Sequence, residues 1–124
     1  MSLSIAVAAG GAVGALLRYW ISLASHALLG MGFPYGTLVV NTLGSFGMGL
    51  LSVLLLDRMG LGPEWRAAVL VGLLGAFTTV STFSMETLQL VEQGARLRAV
   101  VNVGLNVLLC LVAVWLGVVG GRKL

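Results

Sequence analysis

The chemistry-bearing residues of this chain are concentrated in one stretch. Between Thr78 and Ser84 there are five hydroxyl side chains, preceded by Gly72 and Gly75 and followed by a carboxylate at Glu86. Three stripes at helical spacing add to them: Thr37, Asn41, Ser45 and Ser52; Asn102, Asn106 and Cys110; and Thr82, Glu86 and Gln89. Amides and hydroxyls supply hydrogen-bond donors without fixed charge. The ring edge of Phe83 adds a positive rim, because an aromatic quadrupole is negative on its faces. Such groups suit a small, hard, strongly hydrated anion, whose lost water is replaced by close donors. A ring of fixed cations would hold that ion too tightly to let it pass. For a single Asn or Ser, an interhelical hydrogen bond worth about 0.6 kcal/mol is the simpler account. Three stripes in so small a chain favour a polar pathway.

The rest of the chain is the apolar setting for these groups. Of 124 residues 59% are hydrophobic and 9% charged, against about 25% charged in ordinary soluble domains. Before Leu56 the only formally charged side chain is Arg18, and residues 67–85 and 99–121 carry none. A spanning helix needs about 20 apolar residues. Spans are therefore expected at about 3–28, 36–56, 65–91 and 97–120, in one membrane domain covering residues 1–124. Pro34 and Pro63 stand at helix entrances, where a missing N–H costs least. The first segment has no basic leader and runs too long for a cleaved signal. Pairs such as Gly10 and Gly14, Ser45 and Gly49, and Gly117 and Gly121 have the small-xxx-small spacing that lets helices approach.

A bilayer core tolerates irregular backbone only where protein or a polar cavity surrounds it. The glycine- and hydroxyl-rich run is thus read as a break in the third span beside an ion or solute site. The basic residues give little orientation bias. Arg58, Arg66, Arg122 and Lys123 fall on one side, and Arg96 and Arg98 on the other, joined by Arg18 if it extends to that surface. We therefore expect insertion in both orientations. Arg18, followed by Tyr19 and Trp20, fits either snorkelling to the headgroups or an electropositive vestibule. Glu86 is the one carboxylate far from a loop, and a charge at the bilayer centre costs at least about 2.5 kcal/mol. His26 marks the end of the first span, and Cys110 is a small packing residue. No nucleophile–base pair, phosphate loop or zinc-type ligand spacing is present, so an enzyme is not expected. The net charge of +3 comes from span-flanking residues and does not point to nucleic acid.

Three motifs together resemble the Fluc/CrcB fluoride channels over nearly the whole chain. They are Gly10 to Tyr19, Gly36 to Phe46, and Gly72 to Glu86. The resemblance implies an all-α membrane protein of four transmembrane helices with a break in the third. It implies an antiparallel, dual-topology homodimer that exports fluoride passively across a prokaryotic cell (inner) membrane and so confers fluoride resistance. It also implies a structural sodium ion at the dimer interface, held by backbone carbonyls of Gly75 and Thr78. On the same resemblance Asn41 and Phe83 contact fluoride, and Thr79, Val80, Ser81, Thr82, Asn102 and Asn106 lie along its route. Arg18 lies near a vestibule and Glu86 near the polar end of the pore. The chain departs from the pattern at Val80, where the family has a phenylalanine, and at Asn102, Asn106 and Cys110, where it has a tyrosine and serines. Two rival readings are a proton-coupled small multidrug transporter and a membrane assembly subunit with no transport role. The first of these carries its acid in the first span, where this chain has none.

Overall fold

A computed structural model describes residues 2–58 and 60–124; Met1, and Met59 in the second connection, lie outside the described residues. The described chain is helical throughout. Helix α1 spans Ser2–Leu29, and α2 spans Tyr35–Val53 and runs on as a π-helical turn, Leu54–Arg58. The third span is segmented: α3 (Pro63–Arg66), a π-helical stretch Ala67–Leu73, α4 (Leu74–Phe77) and α5 (Val80–Glu92). Helix α6 spans Arg96–Lys123. Four helical units are long and apolar enough to cross a membrane: Ser2–Leu29, Tyr35–Leu56, Pro63–Glu92 and Arg96–Lys123. The protein is a multi-pass membrane protein.

The connections are short and have clear physical stops. Gly30 ends α1 with φ +88° and Gly94 ends α5 with φ +82°, left-handed values that cost glycine little. Around Gly94 the N–H of Gly94 donates to the Val91 carbonyl (3.0 Å) and that of Ala95 to the Leu90 carbonyl (2.9 Å). This pairing is the Schellman motif, which satisfies the last carbonyls of a helix. Pro63 sits at the first position of α3, where no intrahelical N–H is lost.

Two close helix contacts organise the packing. Helix α1 lies on the π-helical stretch of the third span, and α2 lies on α6. Both contacts need backbones to meet. A Cβ on Gly10 would run into the Ala68 carbonyl and one on Gly14 into the Leu73 carbonyl; on the other contact, Gly49 abuts the Val114 carbonyl and Gly117 the Phe46 carbonyl. Contact at this distance gives the dispersion attraction that replaces the hydrophobic drive inside lipid. By comparison α5 is loosely held, leaning mainly on α6. Its outer side leaves Val80 75%, Met85 56% and Leu88 52% exposed.

Gly117→Ala is expected to destabilise the purified protein by about 1–3 kcal/mol, the usual cost of overpacking against atoms that cannot move aside. Gly104, on the same helix, meets nothing within 4 Å, so Gly104→Ala serves as the matched control and is expected to melt no lower than wild type. Thermal unfolding in detergent compares the two.

Candidate functional site

The break lies between Phe77 and Val80, where Thr78 (φ −89°, ψ 157°) and Thr79 (φ −152°, ψ 124°) are both extended. Local chemistry favours this. Thr78, Thr79 and Val80 are consecutive β-branched residues, which crowd a helix. The Thr78 hydroxyl donates to the Leu74 carbonyl at 3.1 Å, alongside the Thr78 N–H at 3.2 Å, and so closes α4. Thr79 then starts α5 as its N-cap: its Oγ1 accepts from the Thr82 N–H at 3.2 Å and pairs with the Thr82 hydroxyl at 3.2 Å. The Ser81 hydroxyl is exposed and lies 3.4 Å from the same Thr79 oxygen.

Two residues from other spans secure the break. Arg18, midway along α1, donates through Nε to the Ala76 carbonyl at 3.0 Å. A cation at the carboxyl end of a helix segment is favoured by the segment's dipole. Arg18 is therefore tied through Nε to the end of α4, next to the break. Asn41 of α2 engages the whole Thr79 peptide. Its Oδ1 accepts from the Thr79 N–H at 2.8 Å, and its Nδ2 donates to the Thr79 carbonyl at 3.0 Å and to Asn106 Oδ1 at 3.2 Å. Only this amide orientation matches every donor to an acceptor.

From Asn41 a ladder of side chains runs toward one end of the bundle. Asn106 Nδ2 donates to the Asn102 carbonyl (2.9 Å) and to Asn102 Oδ1 (3.0 Å). Asn102 Nδ2 donates to the Thr87 hydroxyl (2.9 Å), which donates to the Phe83 carbonyl (2.8 Å). Asn102 is 0% exposed and Asn106 5%, so the apolar bundle encloses amides that pair with one another. Unpaired, each would carry a penalty of about 1–3 kcal/mol.

Two hollows open in the bundle, the first of them beside this ladder. The larger, about 430 Å³, is lined by Asn41, Thr78, Thr79, Val80, Phe83 and Asn106 among others, including Ser45 and Cys110. Its lining combines these polar residues with apolar side chains such as Met48, Leu111 and Val114. The smaller, about 270 Å³, lies where α1 exits and is lined by His26, Glu86, Gln89, Gln93 and Arg98. Arg98 is anchored there by donation to the Gly32 carbonyl at 3.1 Å. Glu86 Oε1 and His26 Nδ1 are buried atoms with no hydrogen-bond partner among the described residues.

The expected site residues thus separate into groups. Asn41, Thr79, Val80, Phe83 and Asn106 meet at one cavity. Ser81 and Thr82 face the Thr79 hydroxyl instead of lining it, Asn102 is enclosed behind it, and Glu86 belongs to the second cleft. Gly75 is exposed in the last turn before the break. Among the described residues no group of three or more His, Cys, Asp or Glu side chains could hold a metal ion. Sequence reasoning missed Thr87, whose hydroxyl completes the ladder; its position four residues after Phe83 was the available signal. It also missed the Ala76 carbonyl as the partner of Arg18, which no side-chain pattern announces.

Comparison with known proteins agrees with the motifs. The sequence pattern of the family described as CrcB-like protein, Camphor Resistance (CrcB), matches residues 5–118. The chain belongs to this family. Curated relatives include proteins named fluoride-specific ion channel FluC. The one from Shewanella amazonensis is 56% identical over 90% of this chain and 89% of its own length. The one from Magnetococcus marinus is 53% identical over 94% of each. A third, from Methylococcus capsulatus, is 57% identical over 100% of this chain, which spans only 55% of that longer protein.

Thr79→Val removes the cap of α5 while keeping the side-chain shape, and is expected to cost about 1 kcal/mol. Hydrogen exchange should show faster exchange at the Thr82 amide, with Thr79→Ser close to wild type. Unchanged protection in the valine variant would remove Thr79 from its capping role.

Proposed function

We propose that the chain is a fluoride-selective channel that lets fluoride leave a prokaryotic cell passively across its inner membrane, and that it does so as an antiparallel, dual-topology homodimer. The observation that carries this reading is the cavity in which Asn41, Thr79 and Asn106 present polar groups beside the ring of Phe83. The names of the relatives supply the ion.

The geometry suits the task. An anion entering the cavity exchanges water for hydroxyl and amide donors and for the positive ring edge of Phe83. Because those donors also bond to one another along the ladder, each contact with the ion replaces an existing partner. Binding stays weak enough for release, as conduction requires. No bond is made or broken, so the activity is transport and not catalysis. Glu86 and Arg98 both line the second cleft.

A second copy is supported by what one copy leaves open. Gly75, Val80 and Ser81 are exposed at the depth of the break. Lipid offers no hydrogen bonds to irregular backbone, so protein must cover it. A partner seated there would close the wall of the cavity.

The carbonyls of Gly75 and Thr78 fit a sodium ion. In an unbroken helix they would accept from the N–H groups of Thr79 and Thr82. Here those two N–H groups donate to Asn41 Oδ1 and to Thr79 Oγ1. Hard cations favour such carbonyl oxygens, and broken membrane helices offer them. The Gly75 and Thr78 carbonyls would hold the ion, which would supply a fixed positive charge at the break. Two oxygens from one chain leave the coordination incomplete, which again calls for a second copy.

Proteoliposomes loaded with fluoride are expected to release it rapidly once a potassium ionophore balances the charge, while chloride-loaded vesicles retain theirs. No fluoride release, or equal chloride release, sinks the proposal. Val80→Phe adds a second ring edge, and an aromatic contact of about 0.5–1.5 kcal/mol corresponds to a change of about 2–10-fold. Fluoride efflux is therefore expected to rise by that factor with chloride still excluded; an unchanged rate rejects the role given to aromatic rings at this position.

A further inference from the structure

We propose that Asn41 is a positioning residue for the cation site: its amide oxygen captures the Thr79 N–H and thereby releases the Gly75 carbonyl. This inference rests on the sodium reading above and assigns the residue that makes that site possible.

The argument is one of competition for a single donor. The Gly75 carbonyl and Asn41 Oδ1 are the two acceptors between which the Thr79 N–H must choose. In a continuous helix the carbonyl four residues back receives it. In this structure Asn41 Oδ1 receives it at 2.8 Å, the shortest of the three bonds made by that amide. Asn41 is 9% exposed, so water does not readily take its place. The same amide donates to the Thr79 carbonyl, holding the peptide from both sides in its extended conformation. It also donates to Asn106 Oδ1.

Both Nδ2 hydrogens and Oδ1 are thus engaged within the protein. An anion at Asn41 would have to displace Thr79 or Asn106, whereas the effect on Gly75 needs no displacement. Arg18 acts on the neighbouring carbonyl, Ala76, and so leaves Gly75 unaffected. The separation of roles has a chemical consequence. Control of Gly75 depends on the acceptor of residue 41, while the links to the Thr79 carbonyl and to Asn106 depend on its donors.

Substitutions that divide acceptor from donor test this. The readout is the sodium-dependent rise in unfolding temperature of the purified, assembled protein, titrated with sodium chloride against N-methylglucamine chloride. Fluoride efflux is measured in parallel. Wild type is expected to show a saturable sodium response. Asn41→Ala lets the Thr79 N–H return to Gly75, and its apparent sodium affinity is expected to fall by about tenfold or more, the equivalent of one hydrogen bond. Asn41→Asp keeps an acceptor and loses both donors. It is expected to retain the sodium response within about threefold while efflux drops.

A full sodium response in Asn41→Ala, or its loss in Asn41→Asp, overturns the inference. If Asn41→Ala does not assemble, Asn41→Asp decides alone by the same criterion. Wild type that conducts fluoride but shows no sodium response overturns both the sodium site and the role given to Asn41, and leaves the channel reading intact. Wild type that responds to sodium but conducts no fluoride fails the channel reading only.

Discussion

The peptide group of Thr79 is held by the side chain of a different span. Its N–H and its carbonyl both bond to Asn41, so the third span cannot close into a continuous helix. The rest of the site follows from that constraint. With the backbone extended at Thr78 and Thr79, α4 ends at Phe77 and α5 restarts at Val80. The Gly75 and Thr78 carbonyls lose their helical donors, and Thr78, Thr79 and Phe83 come to line a cavity. Polar backbone in a membrane is stable only when its hydrogen bonds are made within protein. Asn41, the Thr79 hydroxyl and Arg18 together make four of the required bonds, two of them from Asn41.

The packing has a division of labour that suits this arrangement. Glycines let α1 meet the π-helical stretch and α2 meet α6 at backbone distance, giving two firm contacts. Helix α5 is not clamped in this way and keeps an exposed outer side. The firm pairs set where Arg18 and Asn41 stand. The loosely packed α5 offers the surface that a second copy is proposed to complete.

Energetics explain why the polar ladder is so fully paired. Asn102 and Asn106 lie almost wholly out of contact with solvent, where an unmet amide is expensive. Each finds its partner in the next: Asn41, Asn106, Asn102, Thr87 and finally the Phe83 carbonyl. Such a chain holds its members in place, and the same pairing stabilises the bundle.

Much of this was legible in the residues. Length, apolar runs and scarcity of charge determine a membrane protein with room for four crossings, because hydrocarbon excludes unpaired backbone and charge. The spacing of Asn102 and Asn106 by four places both on one helix face whatever surrounds it. The glycine and threonine run from Gly72 to Thr82 marks a weak point in the third span, because β-branched and hydroxyl residues compete with helical bonding. Tertiary structure decided the rest. Nothing local says that Arg18 caps the Ala76 carbonyl, that Thr87 joins the ladder, or that Glu86 shares a cleft with His26 and Arg98. Those pairings depend on how helices far apart in sequence are rotated and staggered. A stripe on one helix specifies a face, but only the packed bundle selects the group opposite it. Residue spacing therefore determined which groups had to leave the lipid, and tertiary packing decided which partner each of them met.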